Sequence, residues 1–364
     1  MEQNKYLDIV CQVMNAAMKG EHLDLSDYVN DKEFLRIMEE QTFQPFLYKV
    51  DKRPEFRKYY IQASLINDKF DKIGNKIKEI FDANNIDHIF LKGFELKKLY
   101  PDPCIRQMGD IDILVREEDH EKAINVLKES GFKQGKILTH HTEFKYQGIE
   151  IELHNKLIDE GEKYEEYLYN PFSKSINKNN NTYILNDDFN LLFLVIHYIK
   201  HLKKGEGLRE LCDLYFMFSS LNIDLSNLLN FINKEKLTAF FDCLLTQLNF
   251  IFSFDKIPYN RSEHFSELIS YSISSGAHGF GEEQMQFQNQ FKNTKKTKFS
   301  YLLSRLFIPL SELFQKYPWT KSIILIPIGY IVRFFFLLKY RKDKLNIIIN
   351  TTNDNILTKI GLLE

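Results

Sequence analysis

Two short stretches of this chain alternate acids with aliphatic residues, and both have the spacing to do metal chemistry. In Gly109-Asp-Ile-Asp-Ile-Leu-Val115, Asp110 and Asp112 occupy alternate positions. Alternate side chains of a β-strand face the same way, about 6.6 Å apart. The two carboxylates therefore emerge on one face, while Ile111, Ile113 and Val115 turn to the other. Like charges this close on an apolar strand repel unless a cation neutralises them. Hard carboxylate oxygens suit Mg2+ or Mn2+. The second stretch, Ile149-Glu-Ile-Glu-Leu-His154, places Glu150, Glu152 and His154 on one face and Ile149, Ile151 and Leu153 on the other. If the two strands are neighbours, Glu152 is a third carboxylate beside Asp110 and Asp112. Three acids holding two metal ions are the arrangement used for in-line displacement at phosphorus. Taken alone, a D-x-D or an E-x-E is as readily a solvated strand edge. The order of features separates the readings: strand, Lys92-Gly93 turn, helix, Arg106, D-x-D strand, helix, then E-x-H strand.

The surrounding elements follow from periodicity. Leu7, Ile9, Val10, Val13 and Met14 recur at helical spacing, as do Ile66, Phe70, Ile73, Ile77 and Phe81, so residues 1–84 read as an N-terminal helical region. Ile86 to Leu91 is short and β-prone, Phe94 to Tyr100 helical, and Pro101 and Pro103 mark a loop. Glu117 to Ser130 reads as a helix stopped by Gly131, and Phe144 to Tyr146 and Ile149 to Leu153 as strands around Gln147-Gly148. Residues 85–176 thus form a small α/β core. Asn177 to Asn181 reads as a polar linker, and 182–364 as a C-terminal helical domain whose clearest pieces are Phe189 to Lys203, Leu208 to Ser219 and Leu225 to Phe252. The expected fold class is α+β: a small mixed β-sheet core flanked by N-terminal helices and a large C-terminal helical region.

Residues 323–338 are apolar except for Arg333 and are interrupted by Pro327 and Gly329. That is too broken for a confident membrane span. A buried helix pair is the expectation, with peripheral membrane contact through 319–342 as the alternative, favoured by Trp319 and the basic flank Lys339-Tyr-Arg-Lys342. At 364 residues the chain can bury more than one core, and a net charge of −2 argues against a protein that coats long nucleic acid. The four cysteines (Cys11, Cys104, Cys212, Cys243) lie far apart with no C-x-x-C pairing, and the N-terminus carries no apolar signal core. Both fit a reducing cytoplasm.

Leu91-Lys-Gly93, Arg106-x-x-Gly-Asp-Ile-Asp-Ile-Leu-Val115 and Ile151-Glu-Leu-His154 resemble the polymerase-β-like nucleotidyltransferase superfamily. Within it they resemble the branch of uncharacterised bacterial nucleotidyltransferases. The resemblance is firm over about 85–160 and looser through Leu191 to Phe218 and the Pro-x-x-Glu-Leu-x-x-x-Tyr stretch at 309–317. It implies that Gly93 is the glycine of a triphosphate-holding turn. It further implies that Asp110, Asp112 and Glu152 bind two Mg2+ or Mn2+ ions, and that a nucleoside monophosphate moves from an NTP such as ATP to a hydroxyl with release of pyrophosphate. The superfamily usually has Gly-Ser or Gly-Gly at the turn. Here Lys92-Gly93-Phe94 has no hydroxyl after the glycine, and Lys92 would replace that contact as a cation on the phosphates.

Other residues keep two readings. Arg106 is a phosphate or base contact, or the partner of a structural acid. His154 is a ligand or substrate contact, or a hydrogen-bonded strand histidine. His140 and His141 read as loop residues. His197 and His201 share a helix face, as do Arg209 and Asp213, which suggests a helical lid and an Arg209–Asp213 salt bridge. The lysine run 292–298 reads as solvated surface. The expected function is a metal-dependent nucleotidyltransferase acting on a small molecule, a glycan precursor or a protein. The alternatives are a non-catalytic nucleotide-binding or scaffold protein of the same fold, and a toxin that adds nucleotides to transfer RNA.

Overall fold

The computed structural model describes residues 5–203, 208–219, 223–276, 310, 313, 319, 325–340 and 356–362. Met1–Gly279 together with Ile360–Glu364 form one compact unit, and Phe280–Lys359 a second. The first unit begins with four helices, α1 (Leu7–Lys19), α2 (Lys32–Glu40), α3 (Gln44–Val50) and α4 (Pro54–Ala83). Asp31 caps α2 by accepting from the backbone N–H groups of Glu33 and Phe34.

A seven-stranded sheet follows: β1 (His88–Phe90), β2 (Asp110–Val115), β3 (Lys133–Ile137), β4 (His141–Tyr146), β5 (Ile149–His154), β6 (Ser175–Asn179) and β7 (Thr182–Leu185). Its order is β3-β4-β5-β2-β1-β7-β6. The pairs β2–β5 and β1–β7 are parallel and the others antiparallel. Between the strands lie α5 (Lys92–Leu96) and α6 (His120–Glu129). Beyond them come α7 (Asp187–Lys203), α8 (Arg209–Ser219), α9 (Ser226–Lys234), α10 (Thr238–Phe252) and α11 (Phe265–Ser275). The architecture is the expected α+β one.

The aliphatic half of each alternating strand builds the core. Ile111, Ile113 and Val115 of β2, Ile149, Ile151 and Leu153 of β5 and Phe144 of β4 pack against Phe70, Ile73, Ile77 and Phe81 of α4 and Ala123, Ile124 and Leu127 of α6. The acids are thereby committed to the opposite face, because a strand side chain has only two directions.

Phe94 belongs to this core. Its ring stacks on Phe90 at 4.5 Å and lies over Gly74 of α4, where an added Cβ would stand 2.2 Å from the ring. The aromatic residue after Gly93 is therefore matched to a glycine in the facing helix. Gly74→Ala is expected to destabilise the protein by about 1–3 kcal/mol through overpacking, despite the better helix propensity of alanine. Thermal denaturation measures this directly, and an unchanged or raised midpoint would refute the packing argument.

The structure departs from expectation in several places. The stretch expected as a polar linker is the β6–β7 hairpin, turned at Asn180, and β7 is fixed by parallel pairing with β1. The stretch from 225 to 252 is two helices, α9 and α10, broken where Lys236 adopts a left-handed φ of 57°. His141 is a strand residue facing His154 across β4–β5 rather than a loop residue. The apolar stretch expected as a buried helix pair is one helix of the second unit, α12 (Ile326–Tyr340), on which Ile328, Ile331 and Val332 are exposed. Pro327 lies in its first turn, where the missing N–H breaks no hydrogen bond. Among the described residues no helix is long and apolar enough to cross a membrane. The 292–298 lysine run lies outside the described residues, as does the 309–317 motif apart from Leu310 and Leu313.

Candidate active site

Parallel pairing of β2 with β5 sets Asp110 opposite Glu150, Asp112 opposite Glu152 and Leu114 opposite His154. The side chains of Asp110, Asp112, Glu152 and His154 thus share the face away from the core. They do not share it equally. Asp112 and His154 are buried, Asp110 and Glu152 half-buried, and Glu150 exposed beside Lys145 at 3.4 Å.

Asp112 is the hub. Lys92 Nζ donates to its Oδ1 at 2.9 Å, and His154 Nε2 lies 3.0 Å from the same oxygen and 3.3 Å from Glu152 Oε2. Burial opposes the charge on Asp112, but Lys92 and His154 outweigh it and hold the carboxyl well below the usual range. Burial likewise opposes protonation of His154, yet Asp112 and Glu152 raise its pKa, and the His154 hydrogen bond lowers that of Glu152. Asp110 goes the other way. Burial and the neighbouring Asp112 charge push its carboxyl up to about 6. Two aspartates on one strand face thus have their pKa values driven apart, a pattern that concentrates at functional sites.

Lys92 and Gly93 form the first turn of α5, just after β1. Lys92 itself takes the left-handed conformation, with φ 45°. Strain of this kind at a lysine is of order 1–3 kcal/mol and is held by the surrounding structure; here the ion pair with Asp112 is part of that hold. Gly93 meets a different constraint. A Cβ there would stand 2.8 Å from both Arg106 Nη1 and Met108 Cγ, so the residue is glycine because two side chains pass across it.

Arg106 is one of those two. Its Nε and Nη2 donate to Asp213 Oδ1 and Oδ2 at 3.1 and 2.7 Å, and its Nη1 donates to the Gln107 carbonyl. The Tyr100 hydroxyl also donates to Asp213, at 2.7 Å. The cation paired with Asp213 is therefore Arg106, not Arg209 as the helical spacing suggested. Arg209 Nη2 instead lies 3.5 Å from Glu210. An i,i+4 pairing gains only tenths of a kcal/mol, whereas a buried bidentate fork satisfies both carboxylate oxygens at once.

A cleft of about 610 Å³, including its open mouth, lies over this face. Lys92, Gly93, Asp110 and Asp112 line one side, and Leu194, His197 and His201 of α7 with Arg209, Glu210 and Asp213 of α8 line the other. The His197 and His201 rings are 3.7 Å apart, and burial with the adjacent His201 drives the His197 pKa well down. The cleft thus carries acids on its sheet side and a neutral imidazole opposite.

The residues present fit a divalent cation. Donor atoms of Asp112, Glu152 and His154 lie within 4.8 Å of one another, and Asp110 adds a half-buried carboxyl whose charge, disfavoured by burial and by Asp112, a cation would stabilise. His140, His141 and His154 form a second such group, which sequence reading missed because the two histidine positions meet only through the β4–β5 register. A family model described as an uncharacterised nucleotidyltransferase matches residues 31–253, more than half of the chain and every strand of the sheet. No curated protein and no solved structure matches the chain.

Proposed function

Because the chain belongs to the family of uncharacterised nucleotidyltransferases, we propose that it is a metal-dependent transferase moving a nucleoside monophosphate from an NTP to an acceptor hydroxyl, with release of pyrophosphate. The observation that carries this reading is the β2–β5 register, which sets Asp112 beside Glu152 and next to Asp110 at the floor of a cleft. Asp110, Asp112 and Glu152 would hold Mg2+ or Mn2+, two ions in all. When bound, these supply Lewis-acid stabilisation of phosphoryl oxygens and activation of the attacking hydroxyl.

The chain's own groups do the positioning. His154 donates to Asp112 and Glu152 and keeps both carboxylates ionised and oriented. Lys92 carries a positive charge whose pKa Asp112 raises against the opposing effect of burial. It sits at the turn where a triphosphate would lie and binds it as a point charge. Gly93 gives the Arg106 and Met108 side chains room to pass against the turn, and Asp213 holds the Arg106 fork beside it. The α7 face bearing His197 and His201 closes the cleft over the nucleotide. A net charge of −2 argues against long nucleic acid as acceptor, and a small molecule, a glycan precursor or a protein hydroxyl is the acceptor class this reading favours.

Incubation of the protein with each labelled NTP, Mg2+ or Mn2+ and a cell lysate tests the proposal. Metal-dependent labelled product together with pyrophosphate is expected. Calorimetric NTP binding with no product from any nucleotide would overturn it in favour of a non-catalytic binding protein.

A further inference from the structure

Beside the carboxylates, β4 and the turn before it bring three imidazoles together. His141 pairs with His154 across β4–β5, and His140 precedes it. The ring centroids are 4.5 Å apart for His140–His141, 5.1 Å for His141–His154 and 5.6 Å for His140–His154. A ring nitrogen of each lies within 4.8 Å of one on the others.

Each ring has a carboxylate on one nitrogen. His140 Nδ1 lies 2.6 Å from Asp159 Oδ1, His141 Nε2 3.8 Å from Glu152 Oε1, and His154 Nε2 3.0 Å from Asp112 Oδ1. The nitrogens not beside an acid are His140 Nε2, His141 Nδ1 and His154 Nδ1. His140 Nε2 and His141 Nδ1 face one another at 3.0 Å, close to the roughly 3.3 Å that separates two nitrogens on one tetrahedral Zn2+. His154 Nδ1 is buried with no hydrogen-bond partner among the described residues. Asp159 and Asp112 hold His140 and His154 in the tautomers that offer their other nitrogen, and Glu152 stands near His141 Nε2, where that ring's proton goes when a metal binds. Burying an imidazole nitrogen without a partner is costly, and a ligand at this position removes that cost.

We propose that His140 Nε2, His141 Nδ1 and His154 Nδ1 form a binding site for one transition-metal ion of the Zn2+ class, separate from the Mg2+ or Mn2+ carboxylates. Nitrogen donors favour Zn2+, Co2+ or Ni2+ over Mg2+. Without metal, the short His140–His141 contact is a hydrogen bond in which His141 Nδ1–H donates to His140 Nε2. On metal binding that proton moves to His141 Nε2, on the Glu152 side, and the Nδ1 lone pair goes to the ion, so no net proton is released. Three protein donors leave a fourth position for water, the coordination of an open rather than a sealed zinc site. The inference does not depend on nucleotidyl transfer.

The test is Co2+ titration of the chelator-stripped full chain in excess Mg2+, followed by visible absorption and equilibrium dialysis. One equivalent of Co2+ is expected, with the visible bands of a low-coordinate nitrogen site, displaced by Zn2+ and not by Mg2+. His140→Asn and His141→Asn are expected to weaken binding at least tenfold. Asp159→Asn, which leaves every imidazole in place, is expected to weaken it about tenfold and serves if a histidine variant fails to fold. Asp110→Asn is expected to bind like the parent protein. Displacement by Mg2+, undiminished binding in the histidine and Asp159 variants, or loss in Asp110→Asn would each overturn the site.

Discussion

Asp110→Asn is expected to abolish nucleotide transfer while making the metal-free protein more stable at pH 7 and above. Both effects come from one placement. Burial and Asp112 raise the Asp110 carboxyl from an ordinary value of 3.8 to about 6. For an acid whose folded-state pKa is raised, the penalty is complete above pH 6 and disappears as pH falls towards 4. At neutral pH the shift corresponds to about 3 kcal/mol at most, so removing the charge should recover about 1–3 kcal/mol, visible as a higher melting temperature in chelator. Mg2+ should raise the melting temperature of the parent protein and leave the variant nearly unmoved. Losing a metal carboxylate should lower turnover about a thousandfold, the equivalent of several kcal/mol of transition-state stabilisation. Activity near the parent level would sink the assignment of Asp110, and a less stable metal-free variant would sink the account of its charge.

Asp213→Ala is expected to be the most damaging single substitution for stability, at about 3–5 kcal/mol, because it leaves the Arg106 guanidinium buried without its partner. The Tyr100 hydroxyl loses its acceptor at the same time. Urea denaturation should show this as a midpoint lowered well beyond that of Gly74→Ala. The double replacement Arg106→Met with Asp213→Leu should recover much of the loss, since no charge is then stranded. If Asp213→Ala unfolds at the parent midpoint, the bidentate pair does not hold the loop to α8.

How far the sequence reveals this site depends on how local each cause is. Asp-Ile-Asp-Ile and Ile-Glu-Ile-Glu state their faces outright, since a period of two leaves a strand no other choice, and the sheet centre follows from them. The β6–β7 hairpin is hidden for the opposite reason. Ser175 to Asn179 has no apolar face, and what orders it is pairing of β7 with β1, about 90 residues earlier in the chain. The Arg106–Asp213 fork is equally non-local, its ends 107 positions apart in the chain. Phe94 misleads when read beside Gly93 alone. Its meaning lies in Gly74, a mid-helix glycine that periodicity passes over as a weak helix former. The three histidines come together only once the β4–β5 register is known.

The parallel joining of β2 to β5 also bears on how the protein is made. Asp110 and Asp112 leave the ribosome about 40 residues before their strand partner, and Asp213 follows some hundred residues after Arg106. Parallel pairs close long loops and form late in folding. The growing chain therefore carries its aspartates without the third acid, the histidine clamp or the helical wall of the cleft. On the proposed function, the three-carboxylate site cannot form before β5 is synthesised, and its cleft is not walled until α8 has followed.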